Sequence, residues 1–434
     1  MAEKFKAMRG THDILPEEAC IWRRVEGAFA DISRRYGYEE IRVPIFEATE
    51  LFERGTGFST DVVQKEMYTF LDKKERRLSL RPEATPSVIR AYLEHNLARR
   101  AGVSKFFYMG PMFRYDRPGA GRYRQFHQVG VEVVGTPSPG ADAEVIVFFW
   151  EFLKEIGLSR LGTRLNTLGC RPCRIKYSEI LKDFLKDKLV DLCGDCKERY
   201  ARNPLRVLDC KNAACKAMIG EAPEVGTILC EECVAHFEKV QTYLKEAGID
   251  FRVDPKLVRG LDYYTRTVFE VFHEALGVEN SLGGGGRYDH LVKELGGPET
   301  PAVGFSSGLE RVVLALEAED AMKTGDDAIE IFLACLGERA FLSAFRLAAA
   351  LRKRHRLWLE FDRRKLDRQL ATAAKLGVRF TLIIGDDEIA RGVVRVKEMA
   401  SGDQIEVKAE EVVVWLENRL SDRLSGKSGG ESVE

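Results

Sequence analysis

The stretch from Phe106 to Gly135 constrains the chain most, because its pattern fits a long antiparallel hairpin. Phe106 to Phe113 is apolar apart from Gly110 and Pro111, and Asp116-Arg117-Pro118-Gly119-Ala120-Gly121 is rich in turn residues. Beyond the turn the sequence alternates in period 2. Phe126, Gln128, Gly130, Glu132 and Val134 share one face, and His127, Val129, Val131 and Val133 share the other. Arg114, Arg117, Arg122 and Arg124 crowd the tip. A solvated hairpin with a basic tip is the ordinary account of arginines near a turn. Phe and Val on the reverse side and the glycine-spaced tip argue instead for a sheet floor that carries Arg114, Gln128 and Glu132 on one face. Such a floor suits a substrate that is anionic at one end and a hydrogen-bond donor at the other.

At 434 residues the chain has room for about two to four domains. Its 67 Lys and Arg balance 68 Asp and Glu, so a nucleic-acid partner would have to be held by local patches. The first residues, MAEKFKAMRGTHDILP, hold no apolar run of signal-peptide length. The most apolar run, Ala143 to Leu153, is cut by Glu144 and Glu151. The expectation is a cytoplasmic protein without a membrane partner.

The Phe113-Arg114 pair, the GRYRQF run at Gly121–Phe126 and the Gln128-to-Glu132 spacing resemble motif 2 of class II aminoacyl-tRNA synthetases, in the form used by the histidyl-tRNA synthetase family. Other segments carry the same resemblance. A helix is expected from about Ala19 to Tyr36, with Ile21, Val25, Phe29 and Ile32 at helical spacing, then a strand from Tyr38 to Pro44. This unit is similar to motif 1, which implies a homodimer interface; an ordinary helix–strand packing unit has the same periodicity. RGTHDILP at Arg9–Pro16 adds to the likeness. Two strands, Met67–Phe70 and Arg77–Leu80, lead into Arg81-Pro82-Glu83-Ala84-Thr85-Pro86. On the residues alone Glu83 and Thr85 read as a cap for the helix from Ser87. The resemblance implies instead that Glu83, Ala84 and Thr85 grip the α-amino group of histidine. The family commonly has glycine where this chain has Ala84.

Cysteine usage is the second clear signal. Eight of ten cysteines fall in four knuckles: Cys170 and Cys173, Cys193 and Cys196, Cys210 and Cys215, Cys230 and Cys233. In a chain read as cytosolic, this spacing suits two structural Zn²⁺ sites of four thiolates each rather than disulfides; idle cysteines are the alternative. The spacing does not say which knuckles pair. NPLRVLDCK at Asn203–Lys211 resembles the insertion domain of the family, many members of which need no metal there. A metal here would therefore be structural and peripheral to the chemistry.

RGLDYYTRTVFE at Arg259–Glu270 looks like the peptide peculiar to histidyl-tRNA synthetases. A buried arginine beside tyrosines is costly without an anionic partner. The resemblance implies that Arg259 meets the α-phosphate of ATP and the substrate carboxylate, while Tyr263 and Tyr264 shape the histidine pocket. Ser281-Leu-Gly-Gly-Gly-Gly-Arg-Tyr-Asp289 reads either as backbone open to a ligand or as a loose turn. It is no P-loop, and Gly426-Lys427-Ser428 has Ser421 where the first P-loop glycine belongs. Ala302–Arg311 reads as a helix start that puts Gly304, Gly308 and Arg311 on one face. It resembles motif 3, which implies that Arg311 contacts the γ-phosphate.

Past the polar link at 318–327, strands at Ala328–Leu336, Leu357–Phe361, Arg379–Gly385 and Gly392–Lys397 read as an α/β pattern with helices between the earlier ones, and Val412–Leu420 ends the unit. Arg352, Lys353, Arg354, Arg356, Arg363, Arg364, Lys365 and Arg368 form either a solvated helix face or an RNA-contacting patch. KLDRQLATAAKLGVRF, from Lys365, resembles the anticodon-binding domain of this synthetase group.

The expected fold is α+β. A class II antiparallel-sheet catalytic domain spans residues 1–325, with a Cys-rich insertion at 170–240. An α/β anticodon-binding domain at 328–424 and a disordered tail at 425–434 complete the chain. The resemblance implies a histidine–tRNA ligase using ATP, Mg²⁺, L-histidine and tRNA(His). It assigns Arg114, Arg122, Arg259 and Arg311 to ATP, and Glu83, Ala84, Thr85, Arg114, Gln128, Glu132, Arg259, Tyr263 and Tyr264 to histidine. Arg114, Arg259 and Arg311 carry the catalytic work. Two other classes are open: a catalytically silent paralogue regulating histidine biosynthesis, and a zinc-dependent RNA-binding protein on the same scaffold. The first typically lacks the anticodon domain and parts of the histidyl peptide. The second leaves Glu83, Gln128 and Tyr264 unexplained.

Overall fold

A computed structural model of the chain describes residues 5–58, 60–99, 102–279, 281–322, 328–362 and 365–421. Tertiary contacts divide it into two units, Met1–Lys323 and Thr324–Glu434. The strands in chain order are β1 Glu39–Glu40, β2 Phe46–Ala48, β3 Thr69–Leu71, β4 Arg77–Leu80, β5 Ser104–Phe113, β6 Gln125–Val134, β7 Leu161–Thr167 and β8 Arg252–Val253. β9 Thr265–His273, β10 Ser281–Arg287 and β11 Ala302–Gly308 complete the first unit. The second has β12 Ile331–Cys335, β13 Leu357–Leu359, β14 Phe380–Ile384, β15 Val393–Glu398 and β16 Gln404–Lys408.

The large sheet runs β1-β5-β6-β11-β10-β9-β7-β8 among the described residues. From β5 to β7 every pairing is antiparallel, and β1 and β8 add parallel edges. The hairpin is β5–β6, in register from Ser104↔Val134 to Phe113↔Gln125. Its back face buries Val129, Val131 and Val133 against Phe29 of the helix Pro16–Arg35 and Phe148 and Phe152 of the helix Pro139–Glu155. That apolar layer fixes which way the alternating residues point, so Gln128 and Glu132 must face the opposite side. β2-β4-β3 forms a small separate sheet.

Three expectations are corrected. The strand at Tyr38–Pro44 shrinks to Glu39–Glu40, because the carbonyls of Val43 and Pro44 turn to the Arg81 guanidinium, at 2.8 and 3.5 Å, instead of a ladder. The glycine run is a central strand. A Cβ at Gly285 would lie 1.9 Å from the Gly304 carbonyl oxygen, so β10 and β11 meet at this point only without side chains. Gly304 and Gly308 lie on β11, not on a helix, and the helix begins at Leu309, so they share no helical face with Arg311.

In the second unit the sheet order is β13-β12-β14-β15-β16. β12, β13 and β14 are parallel, and β15 and β16 are antiparallel additions. The helices Glu338–Leu351 and Leu366–Lys375 lie between the earlier strands, as expected; the closing segment is a helix, Val412–Ser421, and β16 adds a strand beyond those the sequence predicts. Arg352, Lys353, Arg354, Arg356, Lys365 and Arg368 are exposed; Arg363, Arg364 and the tail from Ser425 lie outside the described residues. Among the described residues no helix is long and apolar enough to cross a membrane.

Candidate active site

The front face of the large sheet floors a cavity of about 640 Å³. Of the residues expected at the site, Glu83, Arg114, Arg122, Gln128, Arg259, Tyr264 and Arg311 line it. Ala84, Thr85, Glu132 and Tyr263 do not line it; they form a hydrogen-bonded layer beneath.

That layer is dense. Glu83 Oε1 accepts from Thr56 Oγ1 at 2.6 Å and Oε2 from Tyr263 OH at 2.9 Å. Glu132 Oε1 accepts from Thr85 Oγ1 at 2.6 Å, and its Oε2 from Tyr288 OH. Neither Glu83 nor Thr85 caps the helix Thr85–Glu94: the N-cap position is Ala84, with no side-chain cap. Ala84 has φ −98°, a conformation open to any residue, so the family's glycine is not required. Burial raises the pKa of Glu83. It pushes Glu132 up to about 8, against the opposing hydrogen bonds of Thr85 and Tyr288. Burial also raises Tyr264, to about 12, with Arg259 opposing. Among the described residues Gln128 Oε1 is buried without a partner, an acceptor that a donor in the cavity would satisfy.

The glycines make room for these groups. A Cβ at Gly304 would stand 1.9 Å from Glu132 Oε2, and one at Gly284 3.0 Å from the Arg259 Cζ. Both side chains therefore lie across bare backbone.

The arginines come from separate segments. Arg114 Nε donates to the Pro82 carbonyl at 2.9 Å, with its guanidinium carbon 5.4 Å from the Phe126 ring centroid. Arg122 Nε is 3.0 Å from Asp116 Oδ2. Arg259 Nη1 pairs with Glu270 Oε1 at 3.1 Å, and Arg164 with the other oxygen at 3.1 Å. Arg311 Nη1 donates to the Ser281 carbonyl at 3.0 Å. Of the other tip arginines, Arg124 stacks on Tyr115 at 3.8 Å and stays out of the cavity.

Sequence reasoning missed Thr56, Glu270 and Tyr288. Each is one polar residue in an apolar or loop context, and the contact that defines it crosses the fold. Glu270 alone left a trace, as a carboxylate on the strand that follows Arg259.

The cysteines gather into two quartets: Cys170, Cys173, Cys230 and Cys233, and Cys193, Cys196, Cys210 and Cys215. Knuckle one thus joins knuckle four, and two joins three. Within each quartet all sulfurs lie within 4.8 Å of one another. Cys170 Sγ is 3.6 Å from Cys173 Sγ and 3.9 Å from Cys230 Sγ; Cys193 and Cys210 are 3.9 Å apart. A tetrahedral ion with Zn–S of ~2.3 Å requires sulfurs ~3.8 Å apart, so the quartets fit. Cys170, Cys193 and Cys230 are helix N-cap residues, and backbone N–H groups lower the thiol pKa of Cys193 and Cys230. The expectation of a peripheral position is corrected for the second quartet, because Cys210 lines the cavity with Asp209, Lys211 and Lys216. Within the insertion, a 3₁₀ helix at Pro204–Asp209 packs against the first helix, Arg171–Lys186.

Residues 10–312 match the family model described as histidyl-tRNA synthetase, and residues 330–419 match an anticodon binding domain. The chain is 48% identical over 406 residues to the histidine–tRNA ligase of Moorella thermoacetica, covering 93% of this chain and 96% of that one. It is similar to the crystal structure of apo S. aureus histidyl-tRNA synthetase, with a TM-score of 0.81 and 36% identity, over 95% of this chain and 99% of that one. A Bacillus halodurans structure titled ATP phosphoribosyltransferase regulatory subunit/histidyl-tRNA synthetase has a TM-score of 0.64 at 23% identity, over 89% of this chain and 99% of that one, and shares the fold alone. With the histidyl-tRNA synthetase model matched over residues 10–312 and 48% identity to the Moorella thermoacetica ligase, the chain belongs to the histidyl-tRNA synthetase family.

Proposed function

We infer that the chain is an aminoacyl-tRNA synthetase that activates L-histidine with ATP and transfers the histidyl group to tRNA(His). The observation that carries this reading is the meeting of Glu83, Gln128, Arg114, Arg259 and Arg311, from four segments, around one cavity. Acceptors at Glu83 and Gln128 suit the substrate ammonium, with Ala84 and Thr85 shaping their loop. Glu132, Tyr263 and Tyr264 form the imidazole side.

In the first step a histidine carboxylate oxygen attacks the α-phosphorus of ATP. The bond to the bridging oxygen breaks, and pyrophosphate leaves with the electron pair. Arg114 and Arg259 place positive charge at that phosphorus, and Arg122 and Arg311 hold the outer phosphates. Mg²⁺ bound mainly by the phosphates supplies further charge neutralisation. In the second step a hydroxyl of the 3′-terminal ribose adds to the histidyl carbonyl and AMP leaves.

The second unit, with its exposed Arg352–Arg356 cluster, takes the anticodon side of the tRNA. Zn²⁺ in the two quartets is structural. Exposed Ile45, Phe46, Phe70 and Leu71 beside the N-terminal helix–strand unit suit the apolar face of a homodimer. The reaction belongs to the cytoplasm. ATP–pyrophosphate exchange with each amino acid in turn tests the reading: histidine alone should support exchange. A protein with no histidine-dependent exchange would be the silent paralogue or the RNA-binding protein instead.

A further inference from the structure

Residues Arg259–Tyr264 carry a cation and two phenols of the site, yet run without helix or strand. Peptide groups in such chain need partners from elsewhere. Here side chains of the Cys-rich insertion supply partners for three of its carbonyls and for the Asp262 side chain. Arg206 Nη1 donates to the Arg259 carbonyl at 2.9 Å. Asn203 Nδ2 donates to Asp262 Oδ1 at 2.8 Å. Arg174 Nη1 donates to the carbonyls of Tyr264 at 2.7 Å and Asp262 at 3.2 Å.

Arg206 is held in its turn. Its side chain is only 7% exposed, with Asp209 at 3.4 Å and Asp61 at 3.7 Å. Asp61 also receives Arg199 at 2.7 Å. These anchors spring from the cysteine quartets: Arg174 follows Cys173, and Asn203 and Arg206 lie between Cys196 and Cys210. Arg259 is thus gripped at both ends, its carbonyl by Arg206 and its guanidinium by Glu270 at 3.1 Å. A surface ion pair has no need to bury a guanidinium against a carbonyl, and burying one is costly unless the contact is used.

We propose that Arg206, supported by Asn203 and Arg174, is a positioning residue through which the Cys-rich insertion sets Arg259 for attack at the α-phosphorus. The proposal rests on the histidine-activating reading and gives the insertion a part in its first step. A displacement of about 1 Å at a reacting centre costs up to about 10²-fold in rate, so a small drift of the Arg259 backbone matters.

The test is Arg206→Met, Arg206→Lys and Arg259→His in the full chain, with active sites counted by titration and histidine-dependent pyrophosphate exchange measured per active site. Arg206→Met should lower kcat at least ~10-fold, with a smaller change in KM for histidine. Arg206→Lys, which keeps a charged donor, should recover part of the loss. Combining Arg206→Met with Arg259→His should cost little beyond Arg259→His alone, because both act through one guanidinium. Unchanged kcat per active site with fewer active chains, or losses that multiply in the double variant, would overturn the proposal. Should Arg206→Met not fold, Arg206→Lys with and without Arg259→His carries the same comparison. Absence of histidine-dependent exchange in the unsubstituted chain is a separate outcome, against the underlying function.

Discussion

Gln128 lines the cavity and Glu132 lies in the layer beneath it, both on one face of an antiparallel strand whose other face is buried in Val129, Val131 and Val133. Arg259 and Tyr264 line the same cavity, and Tyr263 the layer beneath it, from six residues that pair with no strand. The first group is placed by periodicity and a hydrophobic layer. The second is placed by hydrogen bonds from side chains 53 to 90 positions away in sequence. A floor of the first kind should tolerate local changes while keeping its geometry. A loop of the second kind should fail when any distant anchor fails.

The largest effect expected from this contrast is on the loop. Arg259→His should cut histidine-dependent pyrophosphate exchange by at least ~10²-fold, on the scale of losing one charge-stabilising donor. Arg259→Lys should recover only part, since a point charge lacks the planar fork. Transfer from preformed histidyl-adenylate should fall much less, because the bond at phosphorus is already made. Exchange within a few-fold of the unsubstituted chain would leave Arg259 only a structural partner of Glu270 and remove the contrast.

The floor should answer differently. Gln128→Leu removes an acceptor but leaves the strand and its back face intact. It should raise KM for histidine roughly 10-fold with a smaller fall in kcat, the signature of an interaction made equally in ground and transition states. A loss confined to kcat would mean that floor and loop do the same job.

Metal removal sharpens the contrast from a distance. About one to two zinc ions per chain are expected by metal analysis. Chelation should loosen the insertion before the core, and lower exchange by roughly the ~10-fold given by loss of the Arg206 anchor. Metal-free protein with full activity and unchanged thermal stability would disconnect the quartets from the loop.

How much of this was legible in the sequence follows the same division. The β5–β6 register and the facing of Gln128 and Glu132 were readable because an alternating pattern states its own face. The β10 strand was not, because consecutive glycines look like a turn; only the approach of Gly285 to the Gly304 carbonyl explains them. Ala302–Gly308 reads as helix in the sequence because i,i+4 glycines before an apolar helix mimic a helical face. The carboxylate of Glu132 over Gly304 shows that the small residue serves the sheet. The pairing of knuckles and the Arg206–Arg259 contact leave no local signal, since both depend on how the insertion folds back.

The smallest effect concerns pH. The folded pKa of Glu132 is raised from 4.5 to about 8, chiefly by burial. Stability from its neutral form is fully present below the unfolded value and is lost as pH rises through about 8. Relative to Glu132→Gln, the unsubstituted chain should therefore lose melting temperature by roughly a few degrees as the pH is raised across that window. A parallel pH dependence in both proteins would mean that Glu132 ionises freely and the floor is wetter than its burial implies.

The most direct test of the whole account is a single-turnover reaction of the full chain with ATP and histidine, following pyrophosphate release and trapping the product. The account predicts a rapid burst of pyrophosphate, stoichiometric with active chains, together with enzyme-bound histidyl-adenylate that is discharged by added tRNA(His). Pyrophosphate release that needs no histidine, or no burst at all from folded and metal-loaded protein, would contradict it.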